Sequence, residues 1–197
     1  MLLDKTMIDL INHLQLKNNL LKLRKFQSED IPIELAQDTN PEIMQYVRDI
    51  LPEEEALNRA QSIAKKWSGL EDEWIGFSLR TLKEDRMMGM LSFKITSMEY
   101  AIVEIGYRIH PDFQNQGFVT AAASLLLNFL FNELKVHKVV ATCVPENMAS
   151  WKVMEKIGLK AEGHFKEHSK IGGIWYDELY YGLVAQDYSA LCSSMDI

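Results

Sequence analysis

The chain has only two cysteines, Cys143 and Cys192, far apart and without CxxC or CxxH spacing. Nothing therefore points to a zinc ribbon, a redox dithiol or a disulfide framework, and Cys143, inside a strand-like run, is expected as a buried reduced thiol. No apolar run approaches the length that spans a bilayer. Met1-Leu2-Leu3-Asp4-Lys5 is followed by neither a long apolar core nor a small-residue cleavage site, which argues against a secretory leader. Surplus positive charge is also missing: 21 basic against 28 acidic residues give −7, which excludes a general binder of nucleic acid or anionic membrane. There are no repeats and no low-complexity linker. Of the five histidines (His13, His110, His137, His164, His168), only His164 and His168 lie four apart. Their surroundings are strand and loop, with no carboxylate at zinc-ligand spacing, so no metal is expected. Together these absences predict a soluble, cytoplasmic protein.

What is present is ordinary globular material: 197 residues, 47% apolar and 25% charged, enough for one domain with a full core. Residues 1–19, broken by Asn, are expected as an N-terminal extension, and residues 20–197 as a single domain. Leu20 to Phe26 alternates as a first strand. Ser28-Glu29-Asp30 caps a short helix over Ile31 to Ala36. Pro52 with Glu53-Glu54-Glu55 starts another, whose apolar face is Ala56, Ala60, Ile63, Ala64 and Trp67, ending at Ser68-Gly69. Trp74 to Arg80, Arg86 to Thr96 and Glu99 to Ile109 then form an antiparallel meander. Val119, Ala122, Ala123, Leu126, Leu127 and Leu130 trace the buried stripe of the next helix. Lys138 to Val144 is a strand and Asn147 to Ile157 a helix. Strands around Lys160 to Lys166 and Glu178 to Val184 follow, separated by a Gly172-Gly173 loop that holds Trp175 and Tyr176. This order predicts a mixed sheet with helices on both faces.

Two stretches carry chemistry. Gln114-Asn115-Gln116-Gly117-Phe118-Val119-Thr120 links the meander, through His110-Pro111, directly to a helical pattern. A turn there points free backbone N–H groups outward at the positive end of a helix dipole, which suits a diphosphate. Gly117 allows close approach or a left-handed dihedral. The second stretch is Val144-Pro145-Glu146-Asn147-Met148-Ala149-Ser150, a strand running into an Asn that suits a helix N-cap, with a hydroxyl three residues on.

With Glu104-Ile105-Gly106-Tyr107 before them and Glu155-Lys156-Ile157-Gly158-Leu159 after, these motifs resemble the GNAT acetyltransferases. They are most similar to the RimJ/RimL-type branch, named for ribosomal-protein N-terminal acetylation. Asp177 and Tyr180-Tyr181-Gly182-Leu183 also fit that branch, and the resemblance runs from about Leu20 to Tyr188. It implies an α/β (α+β) fold with a mixed, mainly antiparallel sheet. That sheet is splayed between the fourth and fifth strands, beside a bulge in the fourth. The resemblance further implies that backbone amides of Gln114, Asn115, Gln116, Gly117, Phe118, Val119 and Thr120 cradle the pyrophosphate of acetyl-CoA. Arg108, Ile109 and Asn147 would border the rest of the cofactor. No metal is implied.

The implied reaction is direct attack of an amine on the thioester. It needs a neutral nucleophile, a polarised carbonyl and a proton for the departing thiolate. An α-amine with a pKa near 8 is neutral in roughly a tenth of molecules at pH 7, and a lysine in under about a thousandth. The deficits are about 1–1.5 and about 4–5 kcal/mol, so a modest base serves an α-amine. The resemblance assigns Glu104 as base and Ser150 as the hydroxyl beside the sulfur. A cross-strand pair of Glu104 with Lys or Arg is the competing reading of that carboxylate. The expected acceptor is the N-terminal α-amine of a ribosomal or other protein. A small amine (polyamine or aminoglycoside) is the alternative, and a silent CoA-binding module or a purely structural interaction protein the rivals from other classes. A monomer and a homodimer both stay open. Three positions depart from the family pattern: Met154 stands where a tyrosine acid is usual, Val119 at the loop's last Gly/Ala, and Ala121 where the branch often has glutamate. Trp175 and Tyr176, and the Trp67 to Trp74 segment, are expected to border the acceptor.

Overall fold

A computed structural model of the chain describes residues 3–195. The N-terminal stretch read from sequence as an extension carries helix α1 (Lys5–Asn12) and strand β1 (Gln15–Lys17), with Ile11 fully buried. Strand β2 (Leu21–Lys25) leads through a 3-10 turn to helices α2 (Ile31–Asp38), α3 (Pro41–Met44) and α4 (Glu53–Ala64). The meander is β3 (Ile75–Thr81), β4 (Met87–Ser97) and β5 (Ile102–Ile109), followed by α5 (Phe118–Asn128), which runs on as a π-turn over Phe129–Glu133. Strand β6 (Lys138–Cys143), α6 (Met148–Lys156), the hairpin β7 (Lys160–Ile171) and β8 (Ile174–Val184), and α7 (Ala185–Met195) complete the chain. The hairpin is longer than the sequence pattern suggests: Trp175 and Tyr176 lie in β8, not in a loop.

The eight strands lie in the order β1-β2-β3-β4-β5-β6-β8-β7. Every pair is antiparallel except β5 with β6, which pair in parallel only over Ile102–Glu104 and Lys138–Val140. Beyond Glu104 the two strands part. These are the fourth and fifth strands of the sequence reading, renumbered because β1 joins the sheet. The expected bulge in the strand before the gap is absent: β5 keeps register with β4 from Val103 to Ile109. The register shifts fall in β4, near Met88 and Thr96. The splay has another cause. Strand β6 bonds to β8 along its whole length, from Lys138↔Val184 to Cys143↔Leu179, so it follows β8 while β5 follows β4.

Each face of the sheet has its own core. On one, Phe77, Leu91, Phe93, Val103, Ile105 and Val139 pack against the predicted stripe of α5, with Ala122, Ala123, Leu126 and Leu127 at no more than 1% exposure. Burial on that scale is the main stabilising term, at about 25 cal/mol per Å² of apolar surface. On the other face, Phe26, Met87 and Met90 meet Ile63 of α4. Helix α4 stops at Ala64, before the predicted Ser68-Gly69. Its end is capped by the buried ammonium of Lys25, whose Nζ donates to the Ile63 carbonyl at 2.7 Å and the Lys65 carbonyl at 3.4 Å.

Helix α2 docks through charge. Glu34 and Asp38, both buried, meet three guanidiniums. Arg108 of β5 contacts Glu34 and, at 2.9 Å, Asp38; Arg48 reaches Asp38 at 2.8 Å; Arg59 stands 3.5 Å from Asp38. Removing one partner of such a cluster strands the others without water. Asp38→Ala is therefore expected to cost about 3–5 kcal/mol, measured by urea unfolding. A loss under about 1 kcal/mol would show that Arg48 and Arg108 find other partners. Burial also lowers Lys25 from 10.5 to about 8. Between those values the unfolded chain holds the extra proton, so this residue makes stability rise with pH. The stability difference between wild type and Lys25→Met should shift in favour of wild type by up to about 3 kcal/mol from pH 8 to 10.5. A pH-independent difference contradicts this.

Candidate active site

After β5, Pro111 starts a 3-10 turn at Pro111–Phe113, and His110 Nδ1 accepts from the Asp112 amide at 3.3 Å. The chain then passes two left-handed residues, Asn115 (φ 59°) and Gly117 (φ 79°), and enters α5 at Phe118. At Gly117 a β-carbon would meet nothing within 4 Å, so the glycine answers the dihedral and not crowding. No side chain caps α5 here. The first intrahelical bond is Ala121 N–H to the Gly117 carbonyl, so the amides before it have no helical acceptor. An open, positively polarised helix end results.

That end opens into a cleft of about 490 Å³. Arg108, Ile109, Gln114, Asn115, Gly117, Phe118, Val119, Thr120, Asn147 and Ser150 all line it. Two of the sequence candidates do not. Gln116 folds back, donating from Nε2 to the Asp112 carbonyl at 2.9 Å, which leaves only its backbone for the loop. Glu104 lies where β5 and β6 separate, but its carboxylate pairs with Lys94 across the strands at 3.1 Å, and Lys94 sits over the Trp74 ring. Cross-strand pairing, the competing reading of Glu104, is thus realised. Arg108 reaches the cleft with its guanidinium already committed to Glu34 and Asp38, so that side chain is no anion ligand.

Asn147 is both cap and cleft residue: its Oδ1 accepts from the Ser150 amide at 3.1 Å at the start of α6. Ser150 meets Tyr107 of β5 twice. The phenol O–H donates to the Ser150 carbonyl at 2.8 Å, and Ser150 Oγ donates to the phenol oxygen at 3.3 Å. Burial raises the Tyr107 pKa above its usual value, and pushes that of Cys143, at the end of β6, up to about 11. Both groups stay protonated at neutral pH. Met154 faces the opposite way, 1% exposed in the core, so α6 sends no side chain from that position into the cleft.

Sequence reasoning passed over several lining residues. Lys152 and Lys156, one turn apart on α6, add cations; their i, i+4 spacing after the Asn147 cap was the available signal. Tyr107 lies inside the Glu104-Ile105-Gly106-Tyr107 motif, which by itself gives the phenol no role. Tyr46 and Val47 come from the segment after α3, and Tyr46 packs edge-on against Tyr176 at 6.5 Å. Beside it, the Gly172 amide at the hairpin turn donates to Asp49, so hairpin and segment close together at that edge. Trp67 and Trp74 line a separate cavity of about 360 Å³. Among the described residues no cluster of His, Cys, Asp and Glu has metal-binding form.

The site thus has an open, positively polarised helix start, cations along α6, and a gap between diverging strands that ends on a hydroxyl and a phenol. Residues 21–160 match the family model described as an acetyltransferase (GNAT) domain. An uncharacterized N-acetyltransferase of Bacillus subtilis (strain 168), YnaD, is 32% identical over 178 residues, covering 90% of this chain and 99% of the relative. The ribosomal protein uS5-alanine N-acetyltransferase of Escherichia coli (strain K12) is 23% identical over 114 residues, 57% of this chain and 59% of that enzyme. The crystal structure of a GNAT-family acetyltransferase from Bacillus anthracis superposes with a TM-score of 0.76 at 30% identity, covering 88% of this chain and 99% of the other. With its one parallel strand pair parting above an uncapped helix start, the chain belongs to the GNAT family and is an N-acetyltransferase.

Proposed function

We propose that the chain binds acetyl-CoA and passes its acetyl group directly to the N-terminal α-amine of a protein, of ribosomal-protein type. The observation that carries this reading is the continuity of the cleft. It runs from the open start of α5 to the Tyr107–Ser150 pair in the strand gap. The diphosphate lies on the amides of Gln114 to Thr120, helped by Lys152 and Lys156, with the thioester toward Ser150. Burial of Cys143 as a protonated thiol is in keeping with transfer without an acyl-enzyme.

Support for an α-amine comes from what lines the cleft. Its described lining includes no histidine, and so no side chain that ordinarily titrates near neutrality. An acceptor already partly neutral at pH 7 suits such a site better than a lysine, by about 3 kcal/mol. The resemblance to the enzyme that acetylates ribosomal protein uS5 supports the same choice. In this reading Glu104, at the last β5–β6 pair and 3.1 Å from Lys94, accepts the amine's proton through water.

Thiol release measured against peptides with free N-termini, N-blocked lysine peptides, polyamines and aminoglycosides should show kcat/KM highest for free N-termini. Turnover confined to polyamines or aminoglycosides would replace the proposed acceptor. Ser150→Ala and Glu104→Gln should each keep the wild-type Kd for CoA by calorimetry and lower kcat by roughly tenfold or more. Wild-type turnover in Glu104→Gln assigns that residue to its ion pair alone.

A further inference from the structure

The pair formed by Tyr107 and Ser150 sits where a departing thiolate needs a proton, and nothing above uses the phenol. Resting on the acetyl-transfer reading, we propose that Tyr107 is a proton-relay residue acting through Ser150.

Three elements bring the groups together. Tyr107 is on β5, three residues beyond the last pair with β6. Ser150 is in the first turn of α6, its backbone held by the Asn147 cap. Cys143 ends β6 and stays buried. Tyr107 and Ser150 both line the cleft. Both hydroxyl hydrogens can rotate about their C–O bonds, the serine's readily and the phenol's over a small barrier, so the two hydrogen bonds can exchange direction without moving a heavy atom. At rest the phenol O–H points to the Ser150 carbonyl, 2.8 Å away, and the Ser150 O–H to the phenol oxygen, 3.3 Å away. With a thioester in the gap, Ser150 turns its O–H to sulfur and the phenol turns its own to Ser150 Oγ.

The step balances. The amine nitrogen forms the new C–N bond, and the C–S bond breaks with its electron pair on sulfur. Sulfur takes the Ser150 proton, Ser150 Oγ takes the Tyr107 proton, and the phenol is restored by the proton the nitrogen gives up, passed on from Glu104 through cleft water. Net, one N–H is lost and one S–H is made. Developing negative charge on sulfur also faces the N-terminal end of α6, where the dipole favours it. Two features equip Tyr107 for this place. It stays protonated because it is buried, and among the cleft's lining side chains it is the one hydrogen-bonded to the Ser150 hydroxyl.

The test is a double-mutant cycle at saturating acetyl-CoA with the best acceptor from the panel. Tyr107→Phe keeps the ring and removes the hydroxyl. It should lower kcat on the order of tenfold, with KM for both substrates and Kd for CoA within about twofold of wild type. In the Ser150→Ala background the same change should do almost nothing, because the relay is already cut. A phenol that only props up α6 gives the opposite pattern: its loss multiplies with that of Ser150→Ala and weakens CoA binding. That pattern, or wild-type kcat in Tyr107→Phe, overturns the relay and leaves the acetyl-transfer reading standing. A wild type that binds CoA and acetylates no amine overturns both.

Discussion

The structure turns on an unequal competition for β6. Backbone hydrogen bonds hold it to β8 along its full length and to β5 across three residue pairs. Each lost ladder bond must be replaced by water or ligand, so the parting of β5 and β6 exposes polar backbone as well as space. An extended ligand can then lie between the strands as a substitute for the missing partner. The groups of the candidate chemistry stand around the place where pairing ends. Glu104 is at the last pair, Tyr107 follows on β5, and Ser150 is reached from β6 through α6.

The docking of α2 on β5 is organised by charge. Helix α2 lays two buried carboxylates against the guanidinium of Arg108, and Arg48 and Arg59 complete the cluster. Such clusters contribute little net stability compared with apolar replacements, yet they tolerate few geometries. Arg48 directly precedes Asp49, which receives the Gly172 amide of the hairpin turn. A continuous series of contacts therefore links β5 to the hairpin turn.

Much of this fold was legible in the sequence. Periodicity located the meander and the α5 stripe, because each buries one face and leaves the other distinct. It failed on the outer half of the hairpin, since β7 is exposed on both faces over most of its length and shows no alternation. The conformation of the Gln114–Thr120 loop was legible because a glycine at a helix start is a local feature. Arg108 was not. Its partner Glu34 lies 74 residues away, and only the folded chain shows the guanidinium occupied. Glu104 stayed ambiguous for a related reason: alternation gives its face, and the register of β4 supplies Lys94. Tyr107 sat in view inside a motif, but its partner arrives from α6.

The position of the Gln114–Thr120 loop follows from connectivity. Neighbouring strands that run antiparallel can be joined by a tight turn; a parallel pair needs a crossover that returns the chain to its starting edge. The β5–β6 pair is the sole parallel pair among the described strands, and the Gln114 loop with α5 is its crossover. The loop must therefore leave from the carboxyl end of β5, which is also the end where the strands separate. Ligand binding at such a point is a property of the chain's path, set before any side chain is chosen. Residues such as Val119 can alter the surface the loop presents while leaving its place in the fold unchanged.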